Sequence, residues 1–260
     1  MTRIEQIRYL NKILLDEMPE FKEKAELYGQ DIVSQRRLLR SLMNLRMPEP
    51  LSRDFLKVQD ELLGEEREEK GIVDPDDLPT IGDQNIALWQ GDITRLSAGA
   101  IVNAANSALL GCFVPCHGCI DNAIHSAAGL QLRDECEKIM RRQGFEEPAG
   151  QAKITKGYNL PAEYVIHTVG PIVQTEPTEK DREVLISCYR SCLELAVSKK
   201  LRSIAFCCIS TGVFQYPSRQ AAQAAIDTVR DFLKRDKSGI RVVFDVFTDS
   251  DRELYEELLA

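Results

Sequence analysis

The sequence predicts an α/β domain with a mixed, mostly parallel sheet covered by helices on both faces, preceded by a small helical extension. Three observations carry this expectation. From residue 83 onward, short apolar runs of strand length alternate with longer amphipathic runs of helix length. Before residue 71 only helical spacing is found. Residues 203–209 form a short, almost wholly apolar run, as expected of a central strand buried on both faces.

In the extension, Ile4, Ile7, Leu10, Ile13 and Leu14 recur at helical spacing. So do Ile32, Leu38, Leu39, Leu42 and Leu45, and then Phe55, Val58, Leu62 and Leu63. Pro48 and Pro50 separate the last two groups. Three helices are expected, the last ending near Gly64. The arginines and glutamates between the apolar positions read as solvated faces. Residues 65–80 are acidic and close on Val73-Asp-Pro-Asp-Asp-Leu-Pro79, a composition suited to a linker or strap. The boundary is placed near residue 72, giving an extension over 1–72 and a second unit over 73–260.

In that second unit, residues 86–90, 100–104, 151–158, 164–169, 203–209 and 241–247 read as strands. Residues 121–129, 131–142, 180–200, 217–234 and 249–259 read as helices, the last capped by Asp249 or Ser250. Ligands on such sheets bind beyond the carboxyl ends of strands. The loops 103–121, 170–178 and 210–216 follow such ends and are expected to converge.

Composition narrows the function. With 260 residues, 43% hydrophobic and 28% charged, the chain has the makeup of an ordinary globular protein. Its net charge of −8 argues against nucleic acid as the main partner, because backbone binding needs a basic face. It does not argue against a small anion, which helix N-termini and backbone amides bind without net positive charge. The first 15 residues carry Arg3, Glu5, Arg8 and Lys12, unlike a signal peptide. No run approaches the ~18 apolar residues of a membrane span. The cytoplasm is therefore the expected location, with its eight cysteines largely reduced.

Against that background one stretch stands out. Residues 110–121 read Leu-Gly-Cys-Phe-Val-Pro-Cys-His-Gly-Cys-Ile-Asp, placing Cys112, Cys116, His117 and Cys119 within eight residues. Thiolate and imidazole are the ligands Zn²⁺ prefers. Cys116 and His117 are adjacent and so point different ways, whereas His117 and Cys119, two apart, can share one side of an extended segment. Cys112 can return from the far end of the loop. Both an open site with three ligands and a closed Cys₃His site are compatible with this spacing. Asp121 follows at once and can cap the next helix or act as a base. His125 and His167 lie in helix and strand patterns and read as core or supporting residues. Cys136, Cys188, Cys192, Cys207 and Cys208 read as small buried hydrophobes.

Five blocks resemble the signatures of macrodomains, the ADP-ribose-binding α/β/α domains. They are Gly91-Asp-Ile-Thr94, Ala100-Ile-Val-Asn-Ala-Ala-Asn-Ser107, Ala123-Ile-His-Ser-Ala-Ala-Gly129, Ile166-His-Thr-Val-Gly-Pro171 and Ile209-Ser-Thr-Gly-Val-Phe214. They occur in family order. The resemblance implies a three-layer α/β/α macrodomain and assigns roles to residues. Asp92 recognises adenine N6 with the Ile93 backbone beside it, although alone it reads as a turn or N-cap aspartate. Asn106 faces the distal ribose, where an amide offers both donor and acceptor, and Asn103 closes the strand as a turn residue. Ile120 and Asp121 complete the substrate contacts near the ribose. Ser210, Thr211, Gly212, Val213 and Phe214 wrap the diphosphate, the amides from Thr211 to Phe214 donating to its oxygens. Gln215 stands where glycine is usual, so this loop is expected to be stiffer.

One departure refines the resemblance. Where the family carries a run of glycines, this chain has Gly111-Cys-Phe-Val-Pro-Cys-His-Gly-Cys119. That loop, with the helical extension, resembles the zinc-dependent bacterial branch. The resemblance implies Zn²⁺ on Cys112, His117 and Cys119, with Cys116 a bystander. It implies a hydrolase that removes mono-ADP-ribose from a protein side chain, an ester to Asp or Glu, with Asp121 and Asn106 as catalytic residues. It further implies a sirtuin-type ADP-ribosyltransferase and a lipoylated carrier protein as functional partners. A non-catalytic ADP-ribose reader with a structural zinc, and an O-acetyl-ADP-ribose deacetylase, are the rival readings.

Overall fold

The computed structural model describes residues 1–260, the side chain of Gln84 excepted. The extension is built from α1 (Arg3–Glu17), the short α2 (Lys22–Ala25), α3 (Ile32–Leu45) and α4 (Arg53–Lys70). Its apolar stripes close on each other: Ile7, Leu10, Leu14, Leu39, Leu42, Phe55 and Leu62 form a core of their own, joined by Leu130 from the next unit. Ile32, counted with the apolar stripe, is exposed at the first turn of α3. The expected helix end at Gly64 is wrong. Helix α4 runs six residues further, to Lys70, and stops at Gly71, whose φ of +77° is the conformation glycine adopts cheaply. A glycine inside a helix costs only about 1 kcal/mol, and burial of Leu62 and Leu63 beside it outweighs that.

The sheet has seven strands: β1 (Thr80–Ile81), β2 (Asp83–Gln90), β3 (Ala100–Ala104), β4 (Ala152–Lys156), β5 (Tyr164–Thr168), β6 (Ser203–Phe206) and β7 (Arg241–Val246). Their order is β1-β2-β7-β6-β3-β5-β4, parallel except for β1 and β4 at the two edges. Between them run α5 (Ile120–Ala128), α6 (Leu130–Gln143), α7 (Glu179–Ser198), α8 (Ser218–Arg235) and α9 (Asp249–Leu259). The interior strands bury residues on both faces, including Ile101, Val165, Ile166, Phe206 and Val243. Helix α9 is capped by Thr248, whose hydroxyl accepts from the Asp251 amide, rather than by Asp249 or Ser250. Among the described residues no helix is long and apolar enough to cross a membrane.

Two placements organise the site. Asn103 lies inside β3, wholly buried, and is not the turn residue expected. Strand β6 stops at Phe206, so residues 207–216 form a longer loop beyond the sheet's carboxyl edge than the apolar run indicated.

Candidate active site

A cleft of about 990 Å³ opens at the carboxyl ends of β2, β3, β6 and β7. That is at the upper end of the volumes typical of small-molecule sites. Every residue expected to bind substrate or metal lines it.

At one end lies the Cys/His loop. Helix α5 begins at Ile120, and its N-cap is Cys119, whose sulfur accepts from the Asn122 amide at 3.4 Å. Asp121 is therefore in the first turn and is not the cap. Cys112 Sγ lies 3.6 Å from His117 Nδ1. The ligand atoms of Cys112, His117 and Cys119 all lie within 4.8 Å of one another. Tetrahedral Zn²⁺, with bonds of about 2.3 Å to sulfur and 2.0 Å to nitrogen, requires S···N separations of about 3.6 Å. The Cys112–His117 pair matches that separation, and Cys119 lies within 4.8 Å of both, so the three side chains suit one such ion. Burial pushes the Cys119 thiol up to about 11, and the neighbouring Cys112 adds to the rise. A cation between the two sulfurs reverses that cost, because coordinated thiols are deprotonated.

Cys116 is excluded from the cluster. Its φ of +52° turns the side chain onto α3, where Sγ lies 3.3 Å from Ser41 Oγ and 3.6 Å from the Arg37 carbonyl. Its amide donates to Asn44 Oδ1 at 2.9 Å. A second group, His125, Cys136 and His167, also converges. There Asn103 Nδ2 lies 3.2 Å from His167 Nδ1, and Thr155 Oγ1 lies 2.9 Å from Nε2. Both nitrogens of that buried ring are engaged, so it has no lone pair free for a metal.

Asp121 projects beside the cluster and is buried. Its Oδ1 accepts from Asn103 Nδ2 at 2.7 Å, and its Oδ2 from Asn106 Nδ2 at 3.5 Å. Burial raises the carboxyl to about 6, while Asn103 and the more distant Arg133 pull the other way. His125 Nε2 is 3.6 Å from Asp121 Oδ1, but burial holds this imidazole well below its ordinary pKa and it stays neutral. Asn106 Oδ1 accepts from the Ala108 amide, and its Nδ2 donates to the Gly111 carbonyl at 3.1 Å. Gly111 has φ +79°, and a Cβ there would meet the His125 ring at 2.8 Å. Gly111→Ala is therefore expected to cost about 2 kcal/mol or more and to weaken metal binding. Thermal melts and a zinc titration of the variant check both.

The middle of the cleft is the loop Ser210–Phe214. Among the described residues the amides of Gly212, Val213 and Phe214 make no hydrogen bond to protein, leaving three donors for an anion. The Thr211 amide, expected as a fourth, already faces the Cys208 carbonyl at 3.5 Å. Ser210 and Gln215 both take positive φ, 66° and 57°, so Gln215 adopts the left-handed backbone for which glycine is usual. The loop 170–178 does not line the cleft; it braces this one, Val173 donating to the Phe214 carbonyl at 2.9 Å.

At the far end, Asp92 follows β2. Its Oδ1 accepts from the Thr94 amide and hydroxyl, and Lys70 of α4 lies 3.3 Å from Oδ2. Burial pushes this carboxyl up, but Thr94 and Lys70 together hold it below its usual range. Its turn role and its place in the cleft therefore coexist. Asp245, Phe247 and Asp251 line the same end and were not anticipated. The one available signal was a lone aspartate in the otherwise apolar run after Arg241. Cys208, read as buried, is half-buried and also reaches the cleft.

The extension forms a wall of this site. Arg36, Arg40, Leu63, Glu66, Arg67 and Lys70 all line the cleft, so Arg36 and Arg40 are not merely solvated, and Glu66, Arg67 and Lys70 belong to α4 rather than to a linker. Arg40 donates to Asn122 Oδ1 at 2.8 Å and to the His117 carbonyl at 3.4 Å, fastening α3 to the Cys/His loop.

Comparison with known proteins agrees with this geometry. The family model described as Macro domain matches residues 102–225. A protein-ADP-ribose hydrolase of Treponema medium is 46% identical over 263 aligned positions, covering 100% of both chains. A protein-ADP-ribose hydrolase of Staphylococcus aureus (strain MRSA252) is 51% identical over 221 positions, 85% of this chain and 83% of the relative. The structure of a Trypanosoma brucei macrodomain in complex with ADP-ribose superposes with a TM-score of 0.66 at 33% identity, covering 85% of this chain and 95% of that one.

Proposed function

This chain belongs to the macrodomain family, and from that premise we propose that it is a zinc-dependent hydrolase releasing mono-ADP-ribose from a modified protein side chain. The bond cleaved is an ester to Asp or Glu. The reaction reverses the work of a sirtuin-type ADP-ribosyltransferase, with a lipoylated carrier protein as substrate. Those last two assignments, like the zinc, follow from the resemblance of the 111–119 loop and the helical extension to one bacterial branch.

The observation that carries the proposal is the convergence of three ligand atoms beside Asp121 and Asn106, at one end of a cleft whose middle offers three free amides. Cys116 is turned away, leaving three protein ligands rather than four. That set favours a catalytic over a closed structural site. Cys112, His117 and Cys119 would hold a Zn²⁺, which would supply Lewis acidity.

The remaining work falls to the chain's own groups. The amides of Gly212, Val213 and Phe214 fix the diphosphate, so its binding energy goes into orientation. Asn106 has a second carbonyl lone pair free for a ribose hydroxyl. Asp121, raised only to about 6, is mostly ionised at neutral pH and accepts a hydrogen bond from a water or ribose hydroxyl beside it. Asn103, Nδ2 toward Asp121 and close to His167, fixes the orientation of that carboxylate.

The test is turnover by purified protein of three substrates: a mono-ADP-ribosylated acceptor modified on Asp or Glu, the same acceptor modified on Arg, and O-acetyl-ADP-ribose. Metal is counted in the same preparation. Release from the ester-linked acceptor, with about one zinc per chain, is the expected result. Tight ADP-ribose binding without turnover makes the chain a reader. Turnover of O-acetyl-ADP-ribose alone makes it a deacetylase.

A further inference from the structure

Two arginines on α3, Arg36 and Arg40, line the cleft, and so do Arg67 and Lys70 on α4. Three of these four cations meet a carboxylate. Arg36 holds Glu66 through two bonds of 2.6 and 2.8 Å, Arg67 meets Glu68 at 2.9 Å, and Lys70 meets Asp92 at 3.3 Å. Arg40 has no carboxylate partner among the described residues, although the chain carries a net charge of −8.

Neutral acceptors hold Arg40 at the Cys/His end of the cleft. Its Nε and Nη2 donate to Asn122 Oδ1 at 3.2 and 2.8 Å, and Nη2 also donates to the His117 carbonyl at 3.4 Å. Asn122 is wholly buried, and its own Nδ2 donates to the Val114 carbonyl at 3.0 Å, which fixes its oxygen toward Arg40. The remaining nitrogen, Nη1, makes no hydrogen bond to protein among the described residues and is not shut off from solvent. A half-buried guanidinium has lost part of its hydration, and such charges are ordinarily paired. Fixed in a ligand cleft without a counter-ion, it is suited to an anion that the ligand brings.

Position decides which anion. On the hydrolase reading proposed above, the free amides of Gly212, Val213 and Phe214 take the diphosphate. Arg40 instead sits against the loop that carries Cys112, His117 and Cys119, where the acceptor joins the ribose.

We propose that Arg40 reads the acceptor: its free Nη1 donates to the carboxyl group that joins the modified Asp or Glu to the ribose, and it holds that group as it leaves. The inference rests on the hydrolase reading. In the reaction, the oxygen of water joins the anomeric carbon and a proton of that water passes to Asp121. The bond from the anomeric carbon to the carboxyl oxygen breaks, and its electron pair stays on the acceptor. A negative charge thus appears on a carboxyl group that was neutral in the ester. A cation already in place stabilises that change more than it stabilises the ground state. The same cation works against an arginine-linked acceptor, whose guanidinium is itself positive, so Arg40 selects the ester over the guanidine linkage.

The experiment compares full-length wild type, Arg40→Gln and Arg40→Lys at equal zinc content. Each receives the Asp- or Glu-modified acceptor as substrate and the arginine-modified acceptor as a competing ligand. Arg40→Gln is expected to lower kcat/KM on the ester-linked acceptor about 10–100-fold, the loss of one charge-assisted hydrogen bond. Its affinity for free ADP-ribose and for ADP is expected to change little, and it is expected to bind the arginine-linked acceptor more tightly than wild type does. Arg40→Lys keeps the charge but cannot bridge Asn122 and the His117 carbonyl as a planar guanidinium does, and it is expected to recover most of the rate. A residue that only fastened α3 to the loop would behave otherwise: both variants would lose rate equally, and neither would gain affinity for the arginine-linked acceptor. That pattern overturns the proposal. So does a loss of ADP-ribose and ADP affinity as large as the loss of rate, which would assign the cation to the diphosphate. If wild type releases ADP-ribose from no acceptor, the functional reading itself has failed and this inference falls with it. Wild-type turnover with an unchanged rate in Arg40→Gln removes this proposal alone.

Discussion

Cys119→Ser and His117→Ala are each expected to lower kcat/KM for ADP-ribose release by about 10³ or more, and zinc content from about one per chain toward zero. The magnitude follows from losing about 4 kcal/mol of charge stabilisation at the reacting oxygen. The choice of serine at 119 separates chemistry from folding. Cys119 is also the N-cap of α5, and serine is among the best N-caps, so its hydroxyl replaces the sulfur as acceptor for the Asn122 amide. The helix therefore persists, and with it the placement of Asp121. Affinity for ADP-ribose is expected to change far less than turnover, since the free amides of Gly212, Val213 and Phe214 are untouched. Cys116→Ser is the internal control. Its side chain faces Ser41 and Arg37 on α3, outside the ligand cluster, so zinc content and rate are expected to stay near wild type. Equal rates in Cys119→Ser, His117→Ala and wild type would sink the zinc-dependent mechanism. Unfolding of Cys119→Ser without zinc would make the metal structural.

The ligand cluster was legible because chemistry and spacing coincide in it. Four soft ligands in eight residues are rare; the adjacency of Cys116 and His117 set those two apart, and the resemblance implied that Cys116 is the one left out. The strand–helix alternation gave the sheet because buried parallel strands leave continuous apolar runs that survive any choice of side-chain packing. What escaped depends on distance in space. Asn103 occupies a strand position that sequence alone marks as a strand end; its partners are Asp121 on α5 and His167 on β5. Arg40 looked like a solvated charge, and Lys70 like part of a linker, because the groups they meet, Asn122 and Asp92, lie far along the chain. Gly64 and Gly71 illustrate the same limit locally. Both can end a helix, and tertiary burial of Leu62 and Leu63 decides that the second one does.

Arg133 shows how closely the extension and the site depend on each other, and its loss is expected to be the most damaging to stability. Arg133 lies on α6, 3% exposed, and reaches across to the C-terminal end of α3. Its Nη1 donates to the Met43 and Asn44 carbonyls, each at 3.0 Å, and to the Arg46 carbonyl. Its guanidinium stacks 4.4 Å over the Phe113 ring, in the Cys/His loop itself. Burial lowers its pKa to about 10, which leaves it charged at neutral pH. One buried cation thus caps the carbonyl end of α3 and pins the loop that carries Cys112, His117 and Cys119. Arg133→Met keeps the volume but strands those carbonyls away from water. The expected cost is about 3 kcal/mol or more, which for a chain of this size lowers Tm by roughly 6–12 °C. The effect is not confined to melting. Arg40 on α3 holds the His117 carbonyl and Asn122, so loosening α3 releases the Cys/His loop from its other anchor. Zinc affinity of Arg133→Met, measured by competition with a chromogenic chelator below its melting range, is expected to fall about 10–100-fold. A variant that melts early yet holds zinc as tightly as wild type would show that α3 packs behind the site without setting its geometry.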